Sequence, residues 1–137
     1  MAILIKRIEY YYCAVEDKHG KGYWLLEHLR QKNVNLVAFT AFPTGGGRSQ
    51  LDFVPDDSEK LEAAVAEAGV SLVGPKHAFL VQGEDDVGAI VGLHQRLSSA
   101  GISVHAANGV SAGSARFGYV LWVKPQDYER AAQALGL

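Results

Sequence analysis

Moved along itself by 68 residues, the chain meets its own pattern again, and a repeat of that length within 137 residues confines it to architectures built from two like units. The shift carries DKHG, Asp17 to Gly20, onto DDVG, Asp85 to Gly88. It also sets Leu25 on Leu93, Leu29 on Leu97, Val34 on Ile102, Ala38 on Ala106, Gly45 on Gly113 and Arg48 on Arg116. Near the end of each copy the register slips by one, so that EAAVAEAGV, Glu62 to Val70, lies over ERAAQALGL, Glu129 to Leu137. The matches are of residue type more than identity, as an old duplication leaves them.

Each copy reads as the same series of elements. IEYYYCAV and HAFLVQ are β-branched and aromatic runs that suit strands. Tyr23 to Asn33 places Leu25, Leu26 and Leu29 on one helical stripe, and Ala89 to Ala100 does so with Ile90, Leu93 and Leu97. VNLVAFTAF and SQLDFV flank TGGGRS, and ISVHAANGV and ARFGYVLWV flank SAGS, so each pair predicts a hairpin. A second helix follows in each copy. One starts at a capping box formed by Asp56 and Glu59, and the other carries Pro125 in its first turn. A short strand, SLV at Ser71 to Val73, closes the first copy. The order is βαββαβ, an α+β fold of two ferredoxin-like units, residues 1–74 and 75–137, each an antiparallel sheet with its helices on one face. The second unit stops where its last strand would begin. YYYCAV and FGYVLWV are apolar at both parities, which predicts that both sheet faces are covered and that the protein is a homodimer or higher homo-oligomer.

Composition excludes several classes of function. A formal charge of −2 with 20% charged residues gives no general attraction to nucleic acid or to anionic membrane. Cys13 is the single cysteine and lies in an apolar strand, which predicts a buried thiol, no disulfide and a reducing compartment. No apolar stretch has the length of a signal peptide or of a membrane span, so a cytoplasmic location is expected. The histidines His19, His28, His77, His94 and His105 form no HxxxH or HExxH pair, and no metal or cofactor is expected. TGGGRS lies between strands rather than opening a helix, unlike a phosphate loop. No nucleophile elbow appears, so no catalytic residue is assigned.

The hydrophobic strand, the acid-x-x-Gly loop, the amphipathic helix and the VNL or GIS strand that follows resemble the ACT domain, and the doubling resembles a tandem ACT protein over roughly residues 8–137. The resemblance implies a small effector, commonly an amino acid, bound where two units meet, and a role in regulating a metabolic enzyme. Where the family often has proline in this loop, the chain has His19 and Val87. A helix N-terminus with free amides suits a carboxylate, and glycine lets a ligand approach the backbone. The expected ligand-binding set is therefore Asp17, His19, Gly20 and Gly22 in one copy, and Asp85, Asp86 and Gly88 in the other. Asn35 and Ser103, at the start of the next strand, are expected to add neutral hydrogen bonds beside the same loops. Asp17 and Asp85 can receive an ammonium group unless they cap the helices. The reading is of a non-enzymatic sensor that acts through ligand-linked dimerisation. The alternatives are a small ferredoxin-like enzyme using the cleft between units, or a purely structural interaction module.

Overall fold

The structure, a computed structural model, describes residues 3–137. Two compact units emerge, one from Glu9–Lys76 and the other from residues 3–8 with His77–Leu137. Residues 3–8, expected with the first unit, thus group with the second.

The first unit begins within β1 (Ile3–Glu16) and continues through α1 (Lys21–Gln31), β2 (Leu36–Gly45), β3 (Arg48–Pro55) and α2 (Ser58–Glu67). Its strands lie in the order β2-β3-β1, antiparallel, with Tyr11 opposite Phe53 and Glu16 opposite Arg48. Alternation puts Tyr11, Cys13, Leu51 and Phe53 on the helix side, where they close over Leu25 and Leu29 of α1 and Leu61 and Val65 of α2. The Tyr11 ring is buried and its phenol donates to Glu62 Oε2 at 2.5 Å. α2 starts one residue later than the capping box predicts. Asp57, not Asp56, is the cap, accepting the amides of Glu59 at 3.1 Å and Lys60 at 3.3 Å.

The second unit consists of β4 (Val73–Glu84), α3 (Val91–Ser99), β5 (Ala106–Gly113), β6 (Arg116–Trp122), a 3-10 turn at Pro125–Asp127 and α4 (Tyr128–Ala134). Its order is β5-β6-β4, with Phe79 opposite Leu121 and Glu84 opposite Arg116. These pairings are those of the first unit displaced by 68 residues. Among the described residues no strand follows α4. The place beside β4 is taken instead by residues 3–8 of β1, whose Ile3 and Ile5 pack on the core of Phe79, Leu93, Leu97 and Leu121.

SLV and HAFLVQ, expected as separate strands, fall in one. β4 starts at Val73 and runs through Gly74 and Pro75, leaving Ser71 and Leu72 outside it. Gly-Pro reads locally as a break, yet β4 continues because its first residues complete one unit and its later residues open the other. The fold is α+β, with antiparallel sheets and four α-helices, as the two ferredoxin-like units require.

Candidate functional site

The predicted loops form in equivalent ways. The Asp17 amide donates to the Gly47 carbonyl at 2.7 Å and the Asp85 amide to Ala115 at 2.9 Å. Lys18 N bonds Glu16 O, and Asp86 N bonds Glu84 O. Neither α1 nor α3 has a side-chain cap, so the carboxylates of Asp17 and Asp85 are not spent on the helices. At α1 the N-cap is Gly20 itself, at φ 85°, a left-handed conformation that glycine adopts without strain. The Lys21 amide turns back to Lys18 O, while the Gly22 and Tyr23 amides head out of the helix start. Asp17, His19, Gly20 and Gly22 gather there, and Asp85, Asp86 and Gly88 gather before α3, all of them exposed except the half-buried Gly22.

Asn35 and Ser103 do not join them. Leu36, the first residue of β2, pairs with Pro55, whereas the Asp17 loop follows Glu16, which pairs with Arg48. The length of β3 separates the two ends, roughly 23 Å at strand rise. Asn35 O instead accepts the Asp56 amide at 3.1 Å. Ser103 precedes β5, whose first residue pairs with Trp122 at the end of β6 away from Arg116. The reason is topological. β1 and β2 both run antiparallel to β3, hence parallel to each other, and α1 carries the chain back between them.

A cavity of about 560 Å³ lies beside the first loop, wholly within the first unit. Tyr12, Cys13, Ala14, Val15 and Glu16, consecutive in β1, all line it. Successive side chains of a strand point to opposite faces, so five in a row can border one space only if that space meets the strand's edge. β3 holds one edge of β1, and the cavity is a notch on the other, just short of where β4 begins at Val73. Because the Asp17 amide faces β3, the backbone groups of Tyr12, Ala14 and Glu16 face the notch. Arg48 reaches in to donate to Ala14 O at 3.2 Å.

Two residues of the first turns of α1, Lys21 and Trp24, form the far wall, and Gly69 to Ser71 close the notch with Val73. Trp24 is 49% exposed, yet it is not loose. Its ring stacks on His28 at 6.4 Å, and His28 Nε2 lies 2.7 Å from Ala64 O of α2. A carbonyl only accepts, so this nitrogen carries the proton and the imidazole is fixed between the two helices. Charge in the notch is unbalanced. Glu16 is held by Lys18 at 2.8 Å, and its carboxyl is lowered first by that hydrogen bond and further by the charges of Lys21 and Arg48. With Glu16 engaged, Lys21 and Arg48 leave an excess of positive charge. Burial, with the Asp52 charge second, pushes the Cys13 thiol up to about 11, which removes it as a nucleophile at neutral pH. Among the described residues no group of three or more His, Cys, Asp and Glu is placed to hold a metal, and no helix is long and apolar enough to cross a membrane.

The second unit has a notch of about 330 Å³ beside the matching helix start, between the start of α3, the end of α4 and Ile3 to Ile5, but neither Leu80 to Glu84 of β4 nor Arg116, the mates of Tyr12 to Glu16 and Arg48, lines it. Ala89 and Gly92 stand where Lys21 and Trp24 stand in the first. Its cation, Arg96, is turned to Leu135 O at 3.4 Å.

Sequence reasoning missed Lys21, Trp24 and Arg48 as one group. Arg48 had its repeat mate as a signal, and the GKGYW stretch places a lysine and a tryptophan directly after the glycine cap, but nothing local shows that strand β1 has an open edge opposite them.

The chain matches no family model and no curated protein. Solved structures share its fold. A protein from Bacteroides thetaiotaomicron superimposes with a TM-score of 0.77 at 16% identity, over 96% of this chain and 88% of that one. The ligand-free regulatory subunit of aspartate kinase from Thermus thermophilus does so with a TM-score of 0.61 at 15% identity, over 97% and 93%. Aspartokinase III of E. coli, in its complex with lysine and aspartate, gives 0.53 at 15% identity, and there this chain spans 98% of itself but 32% of the larger protein.

Proposed function

We propose that the protein is a small-molecule-binding regulatory protein with no catalysis of its own, and that its effector, an amino acid or a close relative, enters the notch of the first unit. One observation carries this reading: a cavity of about 560 Å³, within the range of small-molecule sites, joins an uncapped helix start, two cations and a braced indole on an open strand edge. Lys21, at the helix start that borders the notch, suits a carboxylate, and the notch offers no activated nucleophile. The fold shared with a regulatory subunit of aspartate kinase, and with an aspartokinase seen bound to lysine and aspartate, supports the same direction.

Self-association belongs to the reading. β2 lies at an edge of the first unit's sheet and exposes Val37, Phe39 and Phe42, an apolar edge that proteins ordinarily pair. A ligand that binds the associated form more tightly than the free chain favours association by linkage. The test is a thermal-shift screen of the twenty amino acids, with sedimentation of the chain with and without any that stabilise it. Stabilisation by a subset, lost in Lys21→Ala, is expected. No shift with any of them, together with turnover of a substrate by the chain alone, would overturn the reading in favour of a small enzyme.

A further inference from the structure

The notches of the two units open beside matching helix starts, but they do not offer the same chemistry. From the differences between them we infer that the first notch selects a carboxylate carrying a flat ring, and that the chain binds one such molecule rather than two. The inference rests on the proposed ligand-binding role and narrows it to a ligand class and a stoichiometry.

The ring side follows from Trp24. Trp24 is half exposed, and its ring lies within 20° of parallel to that of His28, which is itself fastened to Ala64 O. An indole face bordering the same notch as the apolar side chains of Val15, Val70 and Val73 suits a planar apolar body. The acid side follows from charge. Lys21 and Arg48 lie close enough to Glu16 for both to lower its carboxyl, and Lys18 already occupies that carboxyl. An incoming carboxylate meets two cations, Lys21 at the helix start and Arg48, while an incoming ammonium meets no uncommitted anion among the notch's lining side chains.

The second notch lacks both halves of this arrangement. Gly92 offers no ring and Ala89 no charge at the positions of Trp24 and Lys21, and the space is smaller, about 330 Å³. Arg96, bonded to the Leu135 carbonyl as Arg48 is to that of Ala14, is the single cation there among the described residues, against two in the first notch. A ligand chosen by Lys21 and Trp24 therefore finds its features once in the chain.

Isothermal titration of the full chain with indole-3-acetate, L-tryptophan, tryptamine and L-leucine separates these claims. Expected is one site per chain for indole-3-acetate, at least tenfold tighter than tryptamine, which keeps the ring but replaces the acid by an ammonium. L-leucine, which keeps the acid without the ring, should bind at least tenfold more weakly than L-tryptophan. Trp24→Ala should weaken the ring-bearing acids about tenfold while Trp24→Phe restores most of the loss, and Lys21→Ala should weaken every carboxylate. Both positions are exposed, and an unchanged melting temperature of the free variants checks that the fold is intact. Tryptamine binding as tightly as indole-3-acetate, two sites per chain, or affinities untouched by Trp24→Ala and Lys21→Ala would each overturn the inference. Should L-leucine or another aliphatic amino acid bind while the ring-bearing acids do not, the ligand class falls and the regulatory reading stands. Should none of the twenty amino acids or these probes bind, both fall.

Discussion

Arg7 forks onto Glu129, 122 residues away in sequence, donating from Nη1 to Oε2 at 2.7 Å and from Nη2 to Oε1 at 3.1 Å, while its guanidinium lies 5.5 Å above the ring of Tyr128. The Tyr128 ring stacks in turn on Phe79 at 4.6 Å, and its phenol donates to Ala78 O at 3.1 Å. Through this stack the first residues of the chain are fastened to the second unit. The hydrogen bond from Arg7 lowers the Glu129 carboxyl, so its contribution is complete above the ordinary carboxylate range and is lost as pH falls through the lowered value. Hydrogen exchange read by mass spectrometry should show amides 3–8 exchanging faster in Arg7→Ala at neutral pH. In Glu129→Gln those amides should lose the acid-dependent part of their protection. Equal exchange in wild type and both variants would show that the packing of Ile3 and Ile5 and the pairing with β4 hold the strand without Arg7.

Helix capping separates the acids of the two helix starts. Asp57→Ala removes the acceptor for two amides of α2 and should cost about 1 kcal/mol of stability in urea unfolding. Asp17→Ala precedes a helix whose cap is glycine, and should change stability by less than about 0.5 kcal/mol. A loss at Asp17 equal to that at Asp57 would contradict the placement of its side chain.

Two neighbouring glycines should respond in opposite ways. A Cβ on Gly109 would lie 2.6 Å from Cδ1 of Tyr119, whose ring is held by the 2.6 Å bond between its hydroxyl and His94 Nε2. Gly109→Ala should therefore destabilise by about 1–3 kcal/mol. At Gly118 nothing lies within 4 Å of the added carbon, and Gly118→Ala should be tolerated. Melting temperatures of the two variants make the comparison.

Asp52 is the one buried charged residue among those described, 9% exposed on the face of β3 away from the helices, with Gln50 Nε2 donating to it at 2.8 Å. Burial raises its carboxyl, and the Gln50 bond and the Lys76 charge offset this only in part. A raised carboxyl favours the folded state while protonated, so its ionisation removes stability as pH climbs from the ordinary carboxylate range through the raised value. Asp52→Asn should raise the melting temperature at pH 7 and leave it unchanged below the ordinary range. A lower melting temperature at pH 7 would mean that the ionised form is better satisfied than its surroundings indicate.

Periodicity made most of the elements readable. Leu25 and Leu29, and Leu93 and Leu97, recur at the spacing that a helix gathers on one face, and both pairs are buried. The hairpins were legible from their glycines, although Ser114 and Ala115 take positive φ where the first hairpin has Gly46 and Gly47. What a local reading could not supply was partnership. Ile3 and Ile5 carry no mark that assigns them to a core built 70 to 130 residues later, and Gly74-Pro75 reads as a stop although the strand runs through it. The acid-x-x-Gly loops were found where expected, but Asn35 and Ser103 were set beside them by following sequence order across a helix that reverses the chain. Trp24 and Lys21 look like any helix start until the open side of β1 is seen opposite them.

The border between the units passes through the middle of β1 and of β4 instead of through a connecting loop. A fragment covering 77–137 would leave uncovered the patch on which Ile3 and Ile5 rest, and no single cut releases both halves whole. Circular permutation that rejoins the opening eight residues behind Leu137 would write each half as one uninterrupted stretch, and would let either be studied by itself.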